Sequence, residues 1–244
     1  MFVRSSYAIL SLVQVTIDVD SPVASLGIYL AYAVVSVAQD SVNVDAVNRL
    51  VEKCIAAVRS GLSLEALKDH PHVRPFRDLY WRLGIDPTKQ RPAHEALIRR
   101  VLRGEGLPRI NPVVDIGNAL SILHALPVGL YDTDKLDSGR LILRFAKQGE
   151  KVKPLGSPER VLSDNQIVLA TDRGQILHIF PHRDSEHTAV TDSTRNVLIV
   201  VAGISPIPHE KVSTCINDII NNLATCMNTK ILQEPTLTKT EKDF

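Results

Sequence analysis

The alternation of apolar and polar positions along the 244 residues predicts a mixed helix and strand chain. Ser6 to Asp18, with Ile9, Val13, Val15 and Ile17, reads as a first strand, and Leu26 to Ala38 as a second. Asn43 or Asp45 suits the cap of a helix running to about Arg59, in which Val47, Leu50, Val51, Cys54, Ile55 and Val58 recur at three- and four-residue spacing. Gly61 ends it, and Leu64 to Lys68 adds one helical turn. HPHVRPFRDLYWRLG (70–84) starts with proline-broken backbone and turns helical from about Pro75, with Phe76, Leu79, Tyr80 and Leu83 as its stripe and Gly84 as its stop. Pro92 suits the first turn of a helix through Arg103, and another helix spans about Val113 to Ala125. A tight turn centred on Pro127 and Gly129 follows.

After Asp134 the pattern shortens. Arg140 to Ala146, Gln166 to Thr171, Gln175 to Phe180 and Asn196 to Val201 read as strands, separated by the turn sequences DSG, GSPE, SDN and DRG. The continuous apolar run Val197 to Ala202 is expected in the centre of a sheet. From Pro208 a helix returns, with Val212, Ile216, Ile219, Ile220, Leu223 and Met227 on one stripe. The polar tail after Gln233 is expected to be loose.

Composition refines this picture at a few points. Apolar residues make up 44% and charged residues 23%, which indicates neither disorder nor a fibrous repeat. The net charge of +1 means that any nucleic-acid contact must come from a local patch. Three cysteines without CxxC spacing, Cys54, Cys215 and Cys226, argue for a reducing, cytoplasmic setting and against a disulfide framework or zinc ribbon. Ser21 to Gln39 carries no charge and is long enough for a bilayer. Pro22, Gly27, the serines and the Val, Ile and Tyr content favour a buried strand instead, so no membrane contact is expected.

Candidate chemistry concentrates in two stretches. The first, Leu107 to Lys135, joins Asn111, Asp115, Gly129, Tyr131 and Asp132 to one apolar pattern. The second, Pro181 to Asn196, mixes Arg183, Asp184, Ser185, Thr188 and Thr191 between two apolar strands. It reads either as a solvated hairpin loop or as a pocket-lining loop with an Arg for an anion and hydroxyls for a small polar ligand. Arg99, Arg100 and Arg103 complement the C-terminal dipole of their helix, or they grip RNA phosphates. His178, His182 and His187 lie within ten residues, but a strand and a loop do not imply convergence on a metal, and none is expected. His124 reads as a surface or packing residue. Ser185, Asp184 and His187 are too close in sequence for a triad. Neither a GxSxG elbow, a phosphate loop nor a GxGxxG is present, so no nucleotide cofactor is implied.

These residues also carry a resemblance. INPVVDIGNAL, LPVGLYDTDKL, LRFAKQGEKVKPLG and TAVTDSTRNVLIV, preceded by HPHVRPFRDLYWRLGIDP and RPAHEALIRRVLRGEGLP, resemble the B3/4 tRNA-binding and editing domain of the phenylalanyl-tRNA synthetase β-subunit, here as a free-standing version. The resemblance implies an α+β fold of mixed sheets with flanking helices. It implies residues 70–205 as the B3/4-like domain, with strands and a helix of residues 1–69 packed on it and a helix and loose tail over 206–244. Its functional implication is hydrolysis of tyrosine wrongly esterified to tRNA, a task that pocket size alone does poorly. The family's editing pattern has a His in Gln-Pro-x-His-Ala-Phe-Asp, where this chain has Gly129. Its Thr-Asn pair falls on Gly117 and Asn118, a Glu falls near Val200, and an Arg corresponds to Arg109 with a shift of one residue.

Two readings stay open. In one, the protein is a trans-editing factor that hydrolyses misacylated aminoacyl-tRNA with a pocket-bound water. Asn111, Asn118, Tyr131 and Asp132 would be its catalytic groups, Arg109, Asp115, Gly129, Arg183, Asp184, Ser185 and Thr188 its ligand contacts, and Arg99, Arg100 and Arg103 its RNA contacts. In the other it is a non-catalytic module that binds tRNA or a small amino-acid-like ligand.

Overall fold

The computed structural model describes residues 14–238. In chain order the elements are β1 (Thr16–Val19), α1 (Ser21–Ala24), β2 (Ile28–Ala38), α2 (Val44–Gly61), α3 (Arg74–Arg82), α4 (Ala93–Leu102), α5 (Pro112–His124), β3 (Val128–Asp132), β4 (Arg140–Phe145), β5 (Lys151–Val152), β6 (Arg160–Val161), β7 (Ile167–Thr171), β8 (Ile176–Phe180), β9 (Arg183–Asp184), β10 (Asn196–Ile204), α6 (His209–Cys226) and β11 (Asn228–Leu237). The strands form a four-stranded sheet in the order β11-β2-β10-β3, a five-stranded sheet in the order β1-β4-β7-β8-β9, and the small β5-β6 ribbon. This is an α+β architecture. The part of the expected first strand before residue 14 lies outside the described residues.

β2 and β10 lie inside their sheet and are apolar along nearly their whole length because both faces are covered. One face of the four-stranded sheet packs against α5 and α6, with α2 and α4 behind them. The other face meets the five-stranded sheet, where Leu30, Gly129, Tyr131 and Val200 come together with Leu143, Leu169, His178 and Phe180. The stripes expected for α2 and α6 are buried, and the Asn43 side chain caps α2 by accepting from the Ala46 N–H at 3.0 Å. The neutral stretch Ser21 to Gln39 is α1 and β2, and no helix among the described residues is long and apolar enough to cross a membrane.

Two local expectations are corrected. The turn comes before Pro127, not around it: Ala125 takes the left-handed conformation at φ 54°, and the Leu126 N–H donates to the Ser121 carbonyl at 3.1 Å. Residues 128–132 are then a strand paired antiparallel with β10, and Gly129 has no positive φ. The tail after Gln233 is ordered as far as it is described, by pairing with β2 through Leu237 and by the Thr238 N–H, which donates to the Leu30 carbonyl at 2.9 Å; residues 239–244 lie outside the described residues. Its polar composition fits an edge strand, whose side chains mostly face solvent.

Candidate functional site

The start of α5 is built by the residues that made Leu107 to Lys135 look chemically rich. Asn111 is its N-cap: Oδ1 accepts from the Val114 N–H at 3.0 Å, and Nδ2 donates to the Val190 carbonyl at 3.3 Å. Asp115, in the first turn, accepts from the Ile110 N–H at 2.9 Å and pairs with Arg109 Nε at 2.8 Å. Arg109 also donates to Asn48 Oδ1 of α2 at 2.6 Å. Arg109, Asn111 and Asp115 therefore seat the helix against α2 and the segment around Val190. Asp132 closes the next connection, accepting from Thr194 Oγ1 at 2.7 Å and from the Asp134 N–H at 3.1 Å, with Lys135 Nζ at 3.5 Å.

Past its first turn, α5 contributes Gly117 and Asn118 to an open groove of about 340 Å³. Val128 and Leu130 of β3, Leu155 and Gly156 of the loop after β5, and Asp184, Ala189 and Val190 complete its walls. Gly117 lets α5 lie directly against Leu130, whose Cδ1 would be 2.5 Å from a Cβ at that position. Ile110 and Leu155 are exposed beside it, so the lining is mainly apolar with one amide and one carboxylate.

The opposite face of β3 tells a different story. Gly129 and Val200 are register partners, and they border a narrow space of about 20 Å³ between the sheets, room for about one water. Tyr131, 1% exposed, lies over Gly129 and closes this space. Its hydroxyl faces Asp184; burial, then the Asp184 charge and hydrogen bond, raise its pKa well above the ordinary phenol value. His178 Nδ1 is 2.8 Å from Asp184 Oδ1, so Asp184 links the open groove to the buried Tyr131 and His178.

The remaining expected residues disperse. Arg183 donates to Ser157 Oγ at 2.6 Å. Ser185 is fully buried and accepts from the His187 N–H at 3.4 Å. Thr188 is also buried, and its hydroxyl has no hydrogen-bond partner among the described residues. Tyr131 lines the narrow space between the sheets and not the groove, while Asn111, Asp132 and Arg183 line neither. Nor do the three histidines gather: His182 Nδ1 contacts the Arg91 carbonyl at 2.9 Å, away from the His178–Asp184 pair. His124 Nε2 lies 2.9 Å from an Asp218 carboxylate oxygen, and burial lowers the His124 pKa. Of the α4 arginines, Arg99 binds fully buried Glu95 at 2.8 Å, Arg100 binds Glu105 at 2.9 Å and the Gly106 carbonyl at 2.7 Å, and Arg103 is exposed without a carboxylate partner among the described residues.

Sequence reasoning missed His178 as the partner of Asp184. The signal was present, because strands closing over Pro181 and His182 place residue 178 opposite residue 184. Leu155 and Gly156 were missed because they arrive from a distant loop.

Comparison with known proteins places this geometry in a family. The B3/4 domain model matches residues 76–225. The phenylalanine–tRNA ligase β-subunit of Carboxydothermus hydrogenoformans is 33% identical over 134 residues, 55% of this chain and 16% of that protein. A β-subunit from Bacillus cereus is 31% identical over 140 residues, 57% of this chain and 16% of its own length. The matched part thus spans about a sixth of these relatives. A crystal structure of an N-terminal fragment of the phenylalanyl-tRNA synthetase β-subunit from Pyrococcus horikoshii aligns over 95% of this chain and 54% of that fragment, at 19% identity and a TM-score of 0.47. On the extent of the family match, the chain belongs to the B3/4 domain family.

Proposed function

We propose that the protein is a cytoplasmic tRNA-binding module of the B3/4 family that does not hydrolyse misacylated tRNA at the position the resemblance assigns to that reaction. One observation carries the reading. Gly129, standing where the editing pattern has His, and Val200, near the position of its Glu, lie side by side on neighbouring strands and border only about 20 Å³, which Tyr131 also lines. Ester hydrolysis needs a positioned water, donors aimed at the developing oxyanion, and room for the aminoacyl group. The space has room for one water and no acyl group. Tyr131 stays protonated because its pKa is raised, so it is no general base. The tRNA partner is inferred from the tRNA-ligase relatives, and the 340 Å³ groove has the size for a small amino-acid-like ligand.

A second reading rests on a separate observation: Asn118 and Asp184 both line the open groove, where a carboxylate and an amide could orient a hydrolytic water. Incubation of the protein with Tyr-tRNA and other misacylated tRNAs separates the two. The binding module retains tRNA in a salt-dependent manner and leaves the ester at its spontaneous lifetime. Faster release, lost in Asp184→Asn, overturns it in favour of the groove hydrolase. Absence of tRNA retention at low salt rules out both.

A further inference from the structure

We propose that Trp81 on α3 is a stacking platform for an unpaired base of the bound RNA, a deepening that rests on the tRNA-binding reading above. Trp81 is the only tryptophan of the chain, and at 57% exposure it is the only aromatic residue among the exposed large hydrophobic side chains of the described residues. The stripe that holds α3 in place consists of Phe76, Leu79 and Tyr80, each fully buried, so the indole lies outside the packing surface of its own helix. An indole face left in water on a rigid helix gains by covering itself with another flat apolar surface, and bases present such faces irrespective of sequence.

Charge selects RNA as the occupant over an apolar protein surface. Residues 69–105 carry eight Lys or Arg against five Asp or Glu, while the whole chain has a net charge of only +1. Internal pairing explains four of the eight. Arg77 and Arg99 are held on Glu95, Arg74 on Asp69 and Asp78, and Arg100 on Glu105. Arg82, Lys89, Arg91 and Arg103 have no carboxylate partner among the described residues. Arg82 is the chain neighbour of Trp81 and exposed, with only one guanidinium nitrogen engaged, on the Leu26 carbonyl at 3.3 Å. An exposed indole next in sequence to an exposed cation free of acidic partners, within a stretch of net positive charge, matches a phosphate backbone with unstacked bases. The α3–α4 unit is also stiffened by the Arg77–Glu95–Arg99 contacts, so the platform needs little ordering on binding.

The single tryptophan provides its own readout. Titration of the full chain with total tRNA is expected to quench its fluorescence in step with binding measured by filter retention. Trp81→Ala is expected to weaken binding about tenfold, and Trp81→Phe to restore most of it. Trp81→Ala removes no charge, so the salt slope stays the same, whereas Arg82→Gln combined with Arg103→Gln lowers it by about two. Circular dichroism confirms that the variants fold. Retention of tRNA with unchanged fluorescence and full affinity in Trp81→Ala overturns the platform and leaves the tRNA-binding reading standing. The same holds if Trp81→Phe fails to rescue, or if Trp81→Ala instead breaks up an oligomer seen by light scattering. No retention of tRNA at low salt overturns both.

Discussion

Gly129 is decisive at the residue scale because its missing side chain makes room for Tyr131. A Cβ at position 129 would lie 2.7 Å from the Tyr131 Cζ and 2.9 Å from its Cε2, and closer still to the hydroxyl. Tyr131 is buried between the two sheets, so its ring can yield only by repacking. Gly129→Ala should therefore cost about 1–3 kcal/mol by overpacking. Tyr131→Ala should cost about 3–5 kcal/mol by leaving a cavity. In the double variant the alanine at 129 meets no ring, so the two costs should fall well short of additive in urea unfolding. Full additivity would show that the two side chains do not compete for this space. The same scale explains Asn111 and Asp115. Their types and spacing were legible as polar residues at a helix start, and both serve the backbone there. A residue type does not reveal whether its oxygen meets a substrate or an N–H, because that depends on what the fold brings within hydrogen-bond reach.

At the scale of elements, α3 and α4 are joined by a charge at their interface. Glu95 is fully buried, with Arg77 at 2.7 Å and Arg99 at 2.8 Å, and those two side chains are 13% and 18% exposed. Removing the shared carboxylate strands two guanidiniums in a mostly dry contact. Glu95→Ala is expected to destabilise by about 3 kcal/mol, and Arg99→Ala by less because Arg77 still pairs with Glu95. Thermal or urea unfolding of the two variants checks the order. The expectation that Arg99, Arg100 and Arg103 act together as an RNA contact is thereby divided: Arg99 belongs to the helix interface, and of the three only Arg103 is free of acidic partners among the described residues. Periodicity located α2, α4, α5 and α6 to within a few residues, because an amphipathic stripe is written locally. It failed at β3 and β11. Gly129 and Pro127 resemble turn residues, and β11 is mostly polar, yet both segments are strands because β10 and β2 offer them hydrogen bonds.

The whole molecule should lose stability in mild acid. His94 is completely buried, and burial lowers its pKa from 6.5 to about 3. The unfolded chain therefore binds a proton near pH 6.5 that the folded chain refuses until about pH 3. The contribution of His94 is complete above pH 6.5 and lost as pH falls toward 3, with a slope of about 1 kcal/mol per pH unit between pH 6 and 5. His70, His124 and His182 are also lowered, mainly by burial, and add in the same direction. Urea unfolding at pH 7.5, 6 and 5 measures the combined slope, and His94→Gln should reduce it by the share of one histidine. An unchanged slope in that variant would show that His94 is not buried as a neutral ring.

The amino-acid sequence by itself determined the mixed α+β class, the apolar stripes of the helices, the interior position of the Val197 run and the family likeness. All of these follow from the order of side chains along a short stretch of chain. Only the tertiary structure decided that Gly117 and Asn118 open onto a groove while Gly129 and Val200 border a space for one water. Leu130 of β3 lines the groove and Gly129 and Tyr131 line the narrow space, because a strand turns successive residues to opposite sides without saying what will cover each. Here α5 and the Leu155 loop leave one side open, and the five-stranded sheet, with Tyr131 in front of it, closes the other.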